Sequence, residues 1–471
     1  MSAHAKDADE IAIVGIGCRF AGVSGPAALW DQAMERRADF SDHADPAAAR
    51  AVDPAARRFD RLPTVRGGYL HDLYAVDPDL PVLAAGDVAG ENTDELFLAQ
   101  LIADALRDAG FTLRSSTLGR VALSVGYAPP FTPAASAWLM QTSFAEQTAA
   151  LLQRFFAGAP DHDRNALRKQ FQQALPPVSA PLVGHAFPHA LAAHIAGRFG
   201  FAGPAMVVNA GSVSALAAIR AAADDLRLHR GDLAIAAALQ GPIPLSALFG
   251  LAALHPLTAG EAPLPFCRDA AGTLPGEGGG VLVLRRRADA ERNGERIYAL
   301  IKGVTLASGA APAQPNAMRD ILGRAIRDAF RQAAAPPETC AYLETHGTGV
   351  PADDTAELET LCDVFGERRG FQPRLALGTT KASLGHTFAA AGMAGVCKAA
   401  WALTQRIIPP AIAAPPPHPR LAAPRVPYYL PKEPRPWICS RNLAPRRAGV
   451  TAWDGEGLAA HCLLEEQPEA T

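Results

Sequence analysis

Met206-Val-Val-Asn-Ala-Gly-Ser-Val-Ser-Ala-Leu-Ala-Ala-Ile219 is the stretch whose reading decides the fold. Met206 to Val208 is apolar and contains two β-branched residues, as a strand would. Asn209 to Ser214 is a turn of small residues, and the Ala-rich run that follows favours helix. A strand–turn–helix of this kind presents its turn at a helix N-terminus, where the macrodipole favours negative charge. Such a turn suits a nucleophile or an oxyanion. Its central residue here is Gly211, which offers no side chain, and the hydroxyls of Ser212 and Ser214 are expected to cap the helix.

The turn is set in a chain of 471 residues, 49% hydrophobic and 19% charged. That length can bury one large core or two to three ordinary domains. The net charge is −3 and no long Lys/Arg run occurs, so the chain carries no footprint for nucleic acid or an anionic membrane surface. Met1 to Glu10 is polar, without the apolar core of a signal peptide, and no later apolar run reaches membrane-spanning length. The seven cysteines are scattered and form no C-x-x-C pair. This usage fits reduced thiols in a cytoplasmic protein, with no metal framework.

Outward from the turn, strands and helices alternate. Ile11 to Phe20, Arg120 to Gly126, Leu233 to Ala238, Val281 to Leu284 and Ile297 to Leu306 read as strands. Glu95 to Ala109 (closed by Gly110), Phe187 to Phe201 and Ile321 to Ala333 have apolar residues at helical spacing. Residues 41–66 read as a surface loop, residues 131–181 as an Ala/Gln/Phe-rich helical stretch, and Pro409 to Pro436 as a loose connection. Strands with little polar alternation, interleaved with helices, indicate an α/β protein with helices on both faces of its sheets. Gly15 and Gly17 lack the third glycine and the acidic strand end of a dinucleotide fingerprint.

Two further motifs carry chemistry. Leu343-Glu-Thr-His-Gly-Thr-Gly349 and Gly378-Thr-Thr-Lys-Ala-Ser-Leu-Gly-His386 supply two histidines and a lysine within short, glycine-punctuated runs. Together with Arg66-Gly-Gly-Tyr-Leu70, Ile195-Ala-Gly-Arg198 and the 206–219 turn, they resemble the β-ketoacyl synthases of polyketide and fatty-acid biosynthesis, over roughly residues 10–466. The resemblance implies the thiolase fold, a duplicated α-β-α-β-α unit in five layers, here divided into an N-terminal half, 1–264, with the nucleophile turn and a C-terminal half, 265–471, with the two histidines.

The resemblance also assigns roles. His346 and His386 are expected to donate hydrogen bonds to an enolate oxygen, and Lys381 to orient the site through Glu277 and backbone groups. Thr348 and Ser212 support it, and Asp354 and Glu357 match acidic residues that follow the first histidine. Several positions depart from the family. Gly211 stands at the reactive cysteine and cannot carry an acyl group. Asp454-Gly-Glu-Gly-Leu-Ala-Ala-His461 replaces a Gly-Phe-Gly-Gly-Thr-Asn-Ala-His motif, so that Gly455 and Ala459 replace the gating Phe and the Asn, and Glu456 adds a carboxylate. Phe388 stands where Glu is usual. Cys267 is the alternative thiol.

Three functions follow from the resemblance. One is a condensation-deficient protein that still decarboxylates malonyl thioesters. The second is a non-catalytic partner similar to chain-length factors. The third is a repurposed enzyme acting on a carrier-bound chain. In each the substrate arrives on the phosphopantetheine arm of an acyl carrier protein, no other cofactor is required, and the assembly is a homodimer or a heterodimer with an active ketosynthase.

Overall fold

The computed structural model describes residues 10–53, 60–71, 93–113, 120–155, 161–175, 177–309, 317–367, 375–413, 415–439 and 444–468, with Asp77 and Leu80. Part of the 41–66 loop lies outside the described residues. The first half contains β1 (Ile11–Phe20), α1 (Thr93–Asp108), β2 (Val121–Gly126), α2 (Pro188–Phe199), β3 (Ala205–Val208), α3 (Ser214–Arg227), β4 (Leu233–Gln240) and β5 (Gly278–Arg286). The second contains β6 (Ala299–Ser308), α4 (Ala317–Gln332), β7 (Cys340–Glu344), α5 (Pro351–Phe365), β8 (Leu375–Gly378), α6 (Ala391–Gln405), β9 (Arg447–Trp453) and β10 (Leu458–Glu465).

The duplication is explicit in the strand order. The first half runs β3-β2-β4-β5-β1 and the second β8-β7-β9-β10-β6, with the same pattern of parallel and antiparallel neighbours. The halves join where Ile11–Ile13 of β1 pair antiparallel with Ala299–Ile301 of β6. A two-residue strand, Tyr428–Tyr429, extends the edge beyond β8.

Alternation along the strands sorts side chains into layers. Val121, Leu123, Val125, Leu233 and Ile235 face α1 and α2 in one apolar cluster. Ala122, Ala234, Ala236 and Ala238 face the opposite way, into a central cluster with α3 and α6. A third cluster packs α4 and α5 on the far side of the second sheet. This is the five-layered α-β-α-β-α arrangement. The alanines on the inner face matter because two helices must fit between the two sheets. The helices themselves approach closely, since a Cβ on Gly392 would lie 3.0 Å from Leu216 Cγ and 3.3 Å from Ala215 Cβ.

One sequence expectation is corrected here. The strand expected to start at Val281 begins at Gly278, so that the glycine run 278–280 is part of β5 and pairs with both β1 and β4. Side chains there would strike Phe20, Leu101 and Met393, so glycine reflects crowding above a central strand rather than a turn. β5 lies between β4 and β1, so the strands of the first repeat run from Ile11 to Arg286. The 131–181 stretch is helical as expected, with helices at Pro133–Leu139, Ala145–Phe155 and Asp161–Ala174 and a π-helical turn at Met140–Phe144. Among the described residues, no helix is long and apolar enough to cross a membrane.

The central helix contact is testable. Gly392→Val forces a branched side chain against Leu216 and should cost about 1–3 kcal/mol by overpacking. The expected readout is a lower urea midpoint at unchanged m-value; an unchanged midpoint would show that the central layer has slack.

Candidate functional site

A cavity of about 800 Å³ opens where the two halves meet. Its walls include Gly211 and Ser212, His346, Thr348, His386, Phe388 and the loop Trp453–Glu456. The structure therefore brings together the turn at Gly211, both histidine motifs and the C-terminal loop.

The turn is a sharp one. Gly211 has φ +53°, a conformation that glycine adopts at low cost and that strains a residue with a Cβ. Ser214 braces it, accepting from the Ala210 amide at 2.9 Å and donating to the Gly211 carbonyl at 2.7 Å. The expected capping by serine is corrected accordingly: Val213 occupies the cap position of α3 without a side-chain cap bond, and Ser214 ties the turn instead. Ser212 is buried against the cavity.

His346 and His386 are buried, with ring centroids 5.3 Å apart at 81°. The Trp453 amide lies 3.4 Å from His346 Nδ1, and the Phe388 amide donates to His386 Nδ1 at 3.0 Å. A backbone N–H requires an acceptor, so each Nδ1 is unprotonated and each proton resides on Nε2. Burial holds both imidazoles well below the usual histidine range, and the nearby Lys381 charge adds to the effect. The site thus presents two neutral rings with fixed Nε2–H donors. Phe388 stacks on His386 at 4.4 Å and 9°, with its own backbone at φ +37°.

Lys381 is buried at the first turn of a short helix, Lys381–Leu384. Its Nζ donates to the His346 carbonyl at 2.6 Å and lies 3.4 Å from His346 Nδ1. Burial pulls its pKa down to about 8 against the opposing charges of Glu357, Glu344, Asp354 and Asp353. The expected route from Lys381 through Glu277 is not what the structure shows. Glu277 accepts from the Leu70 and Ile243 amides at 2.9 and 2.8 Å, and burial raises its carboxyl to about 7. It holds the 66–70 segment and the chain after β4 in place. The lysine reaches the site through the carbonyl of His346 itself.

Asp354 and Glu357 project back from α5 to hold the first histidine loop. Glu357 accepts from the His346 and Gly347 amides, both at 2.8 Å, and Asp354 from Phe266 and Gly349 at 2.6 and 3.2 Å. Burial pushes both carboxyls up to about 7 despite these bonds. Thr348 donates to Asp353 at 3.2 Å and lines the cavity. Cys267 is buried beside a bridge to Pro417, and no cysteine is among the described residues lining the cavity. His461 sits inside β10, with Thr451 at 3.1 Å, away from the cavity wall.

Several participants have no local signature in the sequence. His255 lines the cavity 6.0 Å from His386. Asp94, hydrogen-bonded by Tyr127, also reaches the wall, with its carboxyl raised by burial to about 6. Asp454 comes closest to the turn, with Oδ2 2.8 Å from where a Cβ on Gly211 would sit. Glu456, singled out in the sequence, is exposed at the rim. Elsewhere His185 and His194 place Nδ1 atoms 2.7 and 3.4 Å from the buried Glu95 carboxylate, whose other oxygen accepts from Arg198.

The comparisons with known proteins agree with this geometry. Residues 8–290 match the family model of the β-ketoacyl synthase N-terminal domain and residues 298–414 that of its C-terminal domain. The chain is 30% identical over 474 residues to a phenolphthiocerol/phthiocerol polyketide synthase of Mycobacterium tuberculosis, covering 98% of this chain and 24% of that protein. It is 30% identical over 477 residues to the spectinabilin polyketide synthase system protein NorA' of Streptomyces orinoci, covering 99% and 12%. The chain therefore spans a quarter or less of the length of these relatives. Among solved structures, an oxazolomycin ketosynthase domain from Streptomyces albus superposes with a TM-score of 0.79 at 24% identity, covering 98% of this chain and 76% of that one. The PfaC keto synthase–chain length factor superposes with a TM-score of 0.79 at 25% identity, covering 98% and 48%. Strand order, paired histidine motifs and family models converge, and the chain belongs to the β-ketoacyl synthase family.

Proposed function

We propose that this chain acts on malonyl thioesters carried by an acyl carrier protein, releasing CO2 without forming a carbon–carbon bond. The observation that carries this reading is the pair of neutral imidazoles with fixed Nε2–H donors, beside a turn that has no thiol. Loss of CO2 from a malonyl thioester leaves its electron pair on an enolate oxygen. Two N–H donors aimed at that oxygen in a buried site stabilise the charge as it develops, and they need no reorganisation to do so. Lys381 contributes by fixing the His346 backbone. Gly211 removes the acyl-enzyme step, since neither Ser212 nor Ser214 has an adjacent base to activate it.

A second reading, a non-catalytic partner of an active ketosynthase, is favoured by the similarity to the PfaC keto synthase–chain length factor. Both readings accommodate a dimer. Among the described residues, strand β3 pairs with β2 alone, and Met206 on it is 38% exposed. An edge strand with exposed apolar residues is suited to continuing a sheet across a two-fold axis with a like partner.

The first reading is tested by incubating malonyl-acyl carrier protein with the purified chain and weighing the carrier by intact mass spectrometry. Conversion to acetyl-carrier is expected, and His346→Ala or His386→Ala should each slow it by about 10²-fold. Full activity in both variants would remove the imidazoles from the mechanism. A second prediction concerns the lost nucleophile. In Gly211→Cys the thiol is placed against the Asp454 carboxylate, which disfavours the thiolate. Acyl transfer to this single variant should be at least about 10-fold slower than to Gly211→Cys/Asp454→Gly, since one like charge in contact shifts a pKa by a unit or more. Equal acylation of the two would show that the carboxylate does not reach the thiol.

A further inference from the structure

The space that a side chain on Gly211 would enter is taken by one residue. The three atoms nearest to an added Cβ are Oδ2, Cγ and Cβ of Asp454, at 2.8, 3.7 and 3.8 Å. The other carboxylate oxygen is committed to the loop: Oδ1 accepts from the Glu456 and Leu458 amides, both at 3.0 Å. A tight turn thus anchors the carboxyl group and leaves Oδ2 directed at the empty nucleophile position. The same cavity wall carries His346 and His386.

The chemistry of the neighbouring step gives this carboxyl group a task. An enolate has two ends. Its oxygen is held on the imidazole donors, and its carbon must face whatever electrophile the site provides. In a condensing enzyme that electrophile is an acyl thioester on the nucleophile turn. Here the position opposite the carbon is occupied by the Asp454 carboxyl. We infer that Asp454 is the proton donor that quenches the enolate at Cα, so that protonation takes the place of carbon–carbon bond formation.

This inference rests on the decarboxylation reading. The step balances. The bond from Cα to the departing carboxylate breaks and CO2 leaves with its pair of electrons left on the enolate. The enolate pair then forms a C–H bond with the Asp454 proton as the thioester C=O is restored. The Asp454 carboxylate recovers a proton from water. Burial, with the Glu456 charge as a smaller contribution, holds the Asp454 carboxyl above the ordinary aspartate range, against the opposing amide hydrogen bonds. The acid form therefore persists to higher pH than on an exposed aspartate.

A donor fixed on one face of a planar enolate delivers its proton to that face only, and the stereochemistry of the product reads this directly. The probe is 2-methylmalonyl-acyl carrier protein turned over in D2O, with the product analysed as 2-deuteropropionate. The wild type is expected to give one enantiomer in at least 10-fold excess. In Asp454→Asn the amide oxygen still accepts the loop N–H groups but the side chain has no acid proton, and the enantiomer ratio of the product formed should fall to near 1:1. Malonyl-carrier in an equal mixture of H2O and D2O provides a second measurement. The CH3 to CH2D ratio of the acetyl product should differ at least 2-fold between wild type and Asp454→Asn. A racemic wild-type product, or the same enantiomer excess and the same isotope ratio in both proteins, would overturn the assignment while leaving decarboxylation standing. Absence of CO2 release from the wild type with either substrate would overturn both.

Discussion

The contact between α3 and α6 sets the rest of the structure. Each is the helix that follows the third strand of its half, β3 and β8, and the two lie side by side between the sheets. The turns leading into them, Gly211–Val213 and Phe388–Ala390, touch each other. A duplicated strand–turn–helix, packed about its central helices, thus brings the turn at Gly211 and a histidine motif to one place without any long loop. The condition is that the helices approach closely, which depends on Gly392, Ala215 and the alanines on the inner face of β4. Larger residues would separate the helices and, with them, the two sides of the cavity.

The same geometry explains which parts of the site could be read from the chain. His346, Lys381 and His386 each lie in a short run where glycines and neighbouring polar residues form a local pattern. Asp354 and Glu357 follow on the helix that returns to the loop they hold. Such arrangements are encoded within a dozen residues. Asp454 opens the C-terminal motif, but its approach to Gly211, like the placing of His255 and the Asp94–Tyr127 pair, comes from strands and loops distant in the chain and is marked by no local pattern. Glu277 illustrates the limit from the other side. Its position in a Gly-Glu-Gly run was legible, but its partners, the Leu70 and Ile243 amides, depend on how β5 is flanked. The five-layered fold was legible only through the family resemblance, since periodicity marks a buried strand without saying which strand lies beside it.

The electrostatics separate groups that work from groups that hold. Glu357, Asp354 and Glu277 accept backbone amides, with burial and hydrogen bonding opposed in each, and their carboxyls lie near 7. They act as clamps. Lys398 and Glu344 form a buried ion pair at 2.7 Å behind the first histidine motif. Lys381 differs, because its ammonium is spent on a carbonyl of the very residue whose ring faces the cavity. Its charge also discourages protonation of both imidazoles. The lysine therefore does two things with one position: it fixes the His346 backbone and keeps the rings neutral.

Placing so many polar groups out of water has consequences for what the site can be. Buried charges and imidazoles are costly to hold, and an interior that only had to support a partner could be filled with apolar residues of similar volume at equal or better stability. This chain instead buries His346, His386, Lys381, Asp354, Glu357 and Glu344 at or behind one cavity, with both imidazoles, Asp354 and Glu357 oriented by backbone amides. Fixed orientation has value when charge appears during a reaction, because donors already in place need not reorganise. At its sharp turn the chain has a glycine that adopts the left-handed conformation at low cost, and a carboxylate in the space beside it. In its ionised form Asp454 would oppose a thiolate in that position, and in its acid form it would face an enolate carbon. On the proposed reading, Gly211 and Asp454 are better understood as a pair than as two separate departures, since each makes the other tolerable: the glycine leaves room for the carboxylate, and the carboxylate fills a slot that no side chain enters.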